Sequence, residues 1–243
     1  GRETNLATGA TSNVVLGDHG GVAWVVIGPG QIAFTVWSTD PDPDVGDDDT
    51  IVTGDGDDLV FGGTGNDTIN VGNGHNLVLG DSGRYYLRTE LTPSWSLLPV
   101  TIGRLETTDP AIGGNDRITS GNGIDWIAGG AGNDLIRSGA GDDAVLGDNG
   151  TFDFVDIGSV LHGLHVTSTA NTIGGDDTIY AEDGDDLVIG GTGNDAIDGG
   201  AGVDYLFGDN ASVNRVVVSG YRTGQLSGNA IAEAADAVAA LAG

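Results

Sequence analysis

The polar and aliphatic positions of this chain recur every nine residues. Three groups of four short segments each place an acid or amide two residues before an aliphatic side chain. The first group runs Asp49-Thr50-Ile51, Asp58-Leu59-Val60, Asp67-Thr68-Ile69 and Asn76-Leu77-Val78. The second is Asp116-Arg117-Ile118, Asp125-Trp126-Ile127, Asp134-Leu135-Ile136 and Asp143-Ala144-Val145. The third is Asp177-Thr178-Ile179, Asp186-Leu187-Val188, Asp195-Ala196-Ile197 and Asp204-Tyr205-Leu206. Glycines precede each acid, as in Gly62-Gly63-Thr64-Gly65-Asn66-Asp67. This is the solenoid nonapeptide G-G-x-G-x-D-x-U-x, and twelve copies in phase are not a chance pattern. The Gly-rich half must turn, because glycine alone adopts positive φ without steric cost. The x-U-x half is long enough only for a small strand, with U pointing inward and its neighbours outward. Successive strands are expected to alternate between two parallel sheets, so that two nonapeptides make one coil.

The outward positions divide by parity. In the second and fourth nonapeptides they are Leu59/Phe61, Leu77/Leu79, Trp126/Ala128, Ala144/Leu146, Leu187/Ile189 and Tyr205/Phe207. In the first and third they are Thr50/Val52, Thr68/Asn70, Arg117/Thr119, Leu135/Arg137, Thr178/Tyr180 and Ala196/Asp198. One outer face is therefore apolar and the other mostly polar, and Val14/Leu16 extends the apolar one. An exposed strip of that length would be an interface or an aggregation hazard, so a covering layer is expected on it.

The material for such a layer lies between the groups. A Gly-Asp motif closes each unit, at Gly17-Asp18, Gly80-Asp81, Gly147-Asp148 and Gly208-Asp209, spaced by 63, 67 and 61 residues. After each motif the composition changes. Residues 22–39 are apolar and β-branched around Gly28-Pro29-Gly30, 85–107 carry Pro93 and Pro99, 152–169 alternate around Gly158-Ser159, and 213–223 turn near Gly220. These read as hairpins. The expected architecture is all-β: a parallel β-roll solenoid with antiparallel hairpin insertions on one outer face. Its parts are a degenerate partial unit (1–20), an insertion (21–43), a roll unit (44–83), an insertion (84–110), a second unit (111–150), an insertion (151–171), a third unit (172–210) and a hairpin with an Ala-rich tail (211–243). Within that tail, Ile231, Val238 and Leu241 have the spacing of a short helix.

Charge narrows the chemistry. Thirty-six acids face eight bases, for a net charge of −28. Such a chain is not a nucleic-acid binder, which needs basic patches, and will not dock unaided on anionic lipid. No run of eighteen apolar residues is present. Cysteine is absent, so disulfides are not the staple. Carboxylates stacked coil upon coil would repel unless cations lay between them. No His-Glu-x-x-His or Gly-x-Ser-x-Gly signature appears, and His162 and His165, three apart on a strand, would fall on opposite faces. The expectation is that the chain is not an enzyme.

Over about half its length the chain resembles the repeats-in-toxin (RTX) family of secreted bacterial proteins, on the nonapeptides quoted above. The resemblance implies calcium held between neighbouring loops on one edge, by the sixth-position acid and loop carbonyls, a donor set that suits a hard cation. Carried over residue by residue, the ligand positions are Asp49, Asp58, Asp67, Asp116, Asp125, Asp134, Asp143, Asp177, Asp186, Asp195 and Asp204. Asn76 departs from the pattern and brings no charge. Asp81, Asp148 and Asp209 would complete a third site per unit, giving about nine calcium ions in all. Asp55, Asp57, Asp142, Asp183 and Asp185 are expected to be solvated. Three functions follow from the resemblance and the long period. The first is a structural module of an extracellular filament, matrix or large adhesin. The second is a calcium-dependent folding and secretion appendage of an enzyme or toxin, and the third a carbohydrate-binding module. Secretion by a bacterial type I route, and end-to-end assembly into a homopolymer or continuation of a longer repeat chain, complete the expectation.

Overall fold

A computed structural model describes residues 5–7, 12–28, 31–38, 46–87, 102–156 and 161–218. The Ala-rich segment expected to be helical lies outside them. Among the described residues the chain is all-β, in three seven-stranded sheets. Roll sheet 1 contains, in spatial order, β1 (Asn5–Ala7), β5 (Thr50–Val52), β7 (Thr68–Gly72), β11 (Arg117–Ser120), β13 (Leu135–Arg137), β17 (Thr178–Tyr180) and β19 (Ala196–Asp198). Roll sheet 2 contains β2 (Val14–Leu16), β6 (Leu59–Phe61), β8 (Leu77–Leu79), β12 (Trp126–Gly130), β14 (Ala144–Asp148), β18 (Leu187–Gly191) and β20 (Tyr205–Asp209). All neighbours in both are parallel. Consecutive nonapeptides thus enter opposite sheets, as the period predicts.

The aliphatic U positions stack in register. Ile51, Ile69, Ile118, Ile136, Ile179 and Ile197 form one column. Val15, Val60, Val78, Ile127, Val145, Val188 and Leu206 form the other. The two columns close a narrow core between the sheets, fully buried except at its C-terminal end. Both columns run unbroken across the insertions: Ile69 pairs directly with Ile118, and Ile136 with Ile179. The three units are one continuous roll.

The insertions form the third sheet, the cover. β3 (Gly20–Gly28) pairs with β4 (Gln31–Ser38), β9 (Gly83–Leu87) with β10 (Ile102–Thr107), and β15 (Gly150–Asp156) with β16 (Leu161–Ser168); β21 (Ser212–Val218) follows. The hairpins also pair with one another, through Val36–Tyr85 and Leu105–Phe152, so the cover is a single antiparallel sheet. Strand spacing explains the tiling. Four nonapeptides advance each roll sheet by two strands, about 9.6 Å, and a two-stranded hairpin is equally wide. One hairpin per four nonapeptides therefore covers the face without gaps.

Beneath the cover lies the second apolar layer. Leu59, Phe61, Leu77, Leu79, Trp126 and Leu146 of roll sheet 2 pack against Val36, Tyr85, Leu105, Phe152 and Val166 of the cover. Trp126 stacks on Phe152, ring centroids 6.0 Å apart. On the opposite face Thr50, Thr68, Asn70 and Arg117 are exposed. The division by parity thus places the apolar strip in the interior.

Candidate metal site

The Gly-rich loops stack along two edges. Those on the first edge lead into roll sheet 1 and end at Asp49, Asp67, Asp116, Asp134, Asp177 and Asp195. Those on the second edge lead into roll sheet 2 and end at Asn13, Asp58, Asn76, Asp125, Asp143, Asp186 and Asp204. An isolated loop Asp most often bonds its own backbone. Here each side chain reaches one coil back instead. On the first edge the N–H of Asp49 donates to Asp67 Oδ1, Asp67 to Asp116, Asp116 to Asp134, Asp134 to Asp177 and Asp177 to Asp195, at 2.7–3.0 Å. The second edge repeats this from Asn13 to Asp204 at 2.7–3.1 Å. Sequence separations of 18 within a unit and 43 to 49 across an insertion serve the same bond. All the acids expected to be ligands therefore fall in two columns, apart from Asp81, Asp148 and Asp209.

The ladder consumes Oδ1 and leaves Oδ2. In Asp58, Asp67, Asp116, Asp134, Asp143, Asp177 and Asp195 that atom is buried without a hydrogen-bond donor. A buried unsatisfied carboxylate oxygen is costly. On the first edge it faces a backbone carbonyl of the next coil. A β-carbon placed on Gly80 would stand 2.1 Å from Asp116 Oδ2 and 2.4 Å from the Gly129 carbonyl oxygen. On Gly129 it would stand 2.2 Å from both Asp134 Oδ2 and the Gly147 carbonyl. Only glycine leaves room for these oxygens to converge.

Burial, reinforced by neighbouring carboxylates, pushes Asp67 to about 8 and Asp143 to about 9, and lifts Asp134 and Asp81 well above the carboxylate range. Burial also raises Asp116 to about 7 and Asp177 to about 8. Such a column needs either protons or cations. Among the described residues no three His, Asp or Glu side chains converge on one point. An ion held here would therefore take one or two carboxylates and complete its shell with carbonyls, as calcium does.

Three features escaped the sequence reading. Asp81 and Asp148 occupy the second loop position, at the point where the hairpin leaves. Asp81 accepts the Gly114 N–H (3.1 Å), where its own loop resumes, and the Ala131 N–H (2.5 Å) of the next loop. Asp148 does the same with Gly175 and Thr192, and Asp18, not proposed as a ligand, accepts the N–H of Thr64. These acids latch the base of each insertion; Asp209, at the last coil, is exposed. Second, the residue before each column acid forms another ladder in the opposite direction. Asn66, Asn115, Asn133, Asp176 and Asn194 each donate a backbone N–H to the side chain one coil earlier. The recurrence of Asn or Asp at that position was the available signal. Third, several acids expected to be merely solvated are bonded across coils: Asp57 accepts the His75 N–H, Asp142 the Asp185 N–H, Asp185 the Val203 N–H, and Asp55 the Asn73 amide. Asp183 is exposed. His165 bonds Ser212 and Thr167 within the cover.

A parallel roll that stacks buried, donor-free carboxylate oxygens against loop carbonyls along its edges is a metal-binding solenoid. The family model of the RTX calcium-binding nonapeptide repeat matches residues 45–84, 119–151 and 172–206. These segments carry the RTX calcium-binding nonapeptide repeat. No curated protein and no solved structure gives a significant match.

Proposed function

We propose that this calcium-binding repeat protein is a structural module of an extracellular filament, matrix or large surface adhesin. The observation that carries the reading is the continuity of all three layers. Both roll sheets and the cover run through every insertion, so the units form one rod instead of separate beads. Among the described residues the last coil is left partly uncovered, which supports extension of that rod. Leu206 holds an inward column position and is 45% exposed, whereas Val188, one coil earlier, is fully buried. A further coil, from a second copy or from a longer chain, would cover it. The column acids Asp49, Asp67, Asp116, Asp134, Asp177 and Asp195, with Asp58, Asp143, Asp186 and Asp204, are the proposed ligands; Asp81 and Asp148 brace the loops. Binding energy in such a site is folding energy. Loop sites of extracellular modules bind at about 10⁻⁴–10⁻³ M, which keeps a chain unfolded in the cytosol and folds it after export.

Circular dichroism with and without calcium, paired with electron microscopy and sedimentation of the calcium form, tests this. Strand signal should appear with calcium, and particles should lengthen end to end as concentration rises. Unchanged strand content after exhaustive chelation would remove the calcium role. A persistent monomer at high concentration would remove assembly by this segment.

A further inference from the structure

The two edges of the roll are not chemically equivalent. On the first edge the opening loop position is always glycine: Gly17, Gly62, Gly80, Gly129, Gly147 and Gly190. Beside each, the Oδ2 of the loop's own Asp and a carbonyl of the next coil point into one gap, both 2.0 to 2.6 Å from where a β-carbon would begin. For Asp67, Asp116, Asp134, Asp177 and Asp195 no protein donor reaches that Oδ2.

On the second edge the same position holds Thr53, Val71, Ser120, Ser138 and Ala181, and a glycine, Gly199, beside Asp204 in the last coil. Ser120 donates its hydroxyl to Asp125 Oδ2 at 2.6 Å. The hydroxyls of Thr53 and Ser138 face Asp58 and Asp143 and partly offset the burial that raises both carboxyl groups. Each hydroxyl also lies 3.1 Å from a next-coil carbonyl, Val71 or Ala181, so a protein hydroxyl stands in the gap.

The amides complete the contrast. Asn76 Oδ1 accepts the Asp58 N–H, the ladder bond made elsewhere by Asp Oδ1. Its NH₂ therefore occupies the place of the outward Oδ2. It donates to Asp125 Oδ1 at 2.9 Å and to Ser120 Oγ at 3.2 Å. The Asn13 NH₂ donates likewise to Asp58 Oδ1 at 2.8 Å. Two gaps thus hold a pair of N–H hydrogens where the first edge presents only oxygens.

We propose that Asn13 and Asn76 exclude the divalent cation from their two gaps on the second edge, while the oxygen-lined gaps of the first edge bind it. An amide hydrogen repels a cation and bonds the facing carboxylate directly, so these gaps hold together without metal. The inference rests on the proposed calcium role and adds where that calcium goes.

The test is calcium stoichiometry of the full chain, by equilibrium dialysis with elemental analysis and by calorimetric titration, with folding followed by circular dichroism. Asn76→Asp replaces the outward NH₂ by an oxygen and should bind one more calcium than the parent; Asn13→Asp should do the same. Asp116→Asn introduces an amide on the first edge and should bind one fewer. Unchanged stoichiometry in Asn76→Asp overturns the proposal, as does its failure to fold in saturating calcium, since a new ion would compensate the added charge. Unchanged stoichiometry in Asp116→Asn overturns it too. A parent chain that binds no calcium overturns the proposed function itself.

Discussion

Gly129→Ala and Gly208→Ala make the sharpest comparison available. Both glycines occupy the same loop position on the same edge, and neither has positive φ. They differ only in what lies beyond them. A β-carbon on Gly129 would stand 2.2 Å from Asp134 Oδ2, 2.2 Å from the Gly147 carbonyl oxygen and 2.8 Å from Asp134 Cγ. The carbonyl belongs to a strand held on both sides, so the backbone must shift. Overpacking of this kind costs about 1–3 kcal/mol. For a domain of this size that corresponds to a melting temperature roughly 2–12 °C lower. A β-carbon on Gly208 meets nothing within 4 Å. Alanine there restricts the unfolded chain and should stabilise by about 0.4–1 kcal/mol. The Gly129 variant should also bind one calcium fewer, because the methyl fills the gap. Thermal unfolding in saturating calcium, with metal analysis, reads both effects. Equal melting temperatures for the two variants would refute the reasoning, since they would mean that coils do not stack at the described distance.

Two further outcomes are expected. Val188→Asp buries a charge in a core two strands thick and should cost several kcal/mol, while Thr68→Asp on the exposed face should be mild. Equal losses in chemical denaturation would show the strand register to be displaced by one residue. The pH dependence without calcium should run opposite to that of a salt-bridged carboxylate. Burial raises Asp67, Asp143 and Asp177 from the ordinary 3.8 to between about 8 and about 9, so the folded chain binds protons that the unfolded chain has released. Their contribution is complete below pH ~4 and is lost as pH rises to ~9. Stability in chelator should therefore fall across that window, and a rise would contradict the buried columns.

Much of the fold was legible in the chain itself because its period is short and local. The spacing of nine dictates turn, strand and facing side, and the parity of Leu59/Phe61 against Thr68/Asn70 dictates which outer face is covered. Even the tiling of the hairpins is implicit in four nonapeptides per insertion, once strand spacing is considered. What tertiary structure decided is pairing between distant segments. Ile69 meets Ile118 because the hairpin between them loops out onto the cover, which no local pattern announces. The latching of Asp81 to Gly114 and Ala131 depends on where that hairpin leaves and returns. The split between the edges likewise arises in three dimensions. An aspartate at position six reads the same on either edge, yet the outward oxygen of Asp134 meets glycine and a carbonyl while that of Asp125 accepts the Ser120 hydroxyl. Sequence marks which residues can hold a cation, and the stacking of coils determines which of their oxygens remain free to do so.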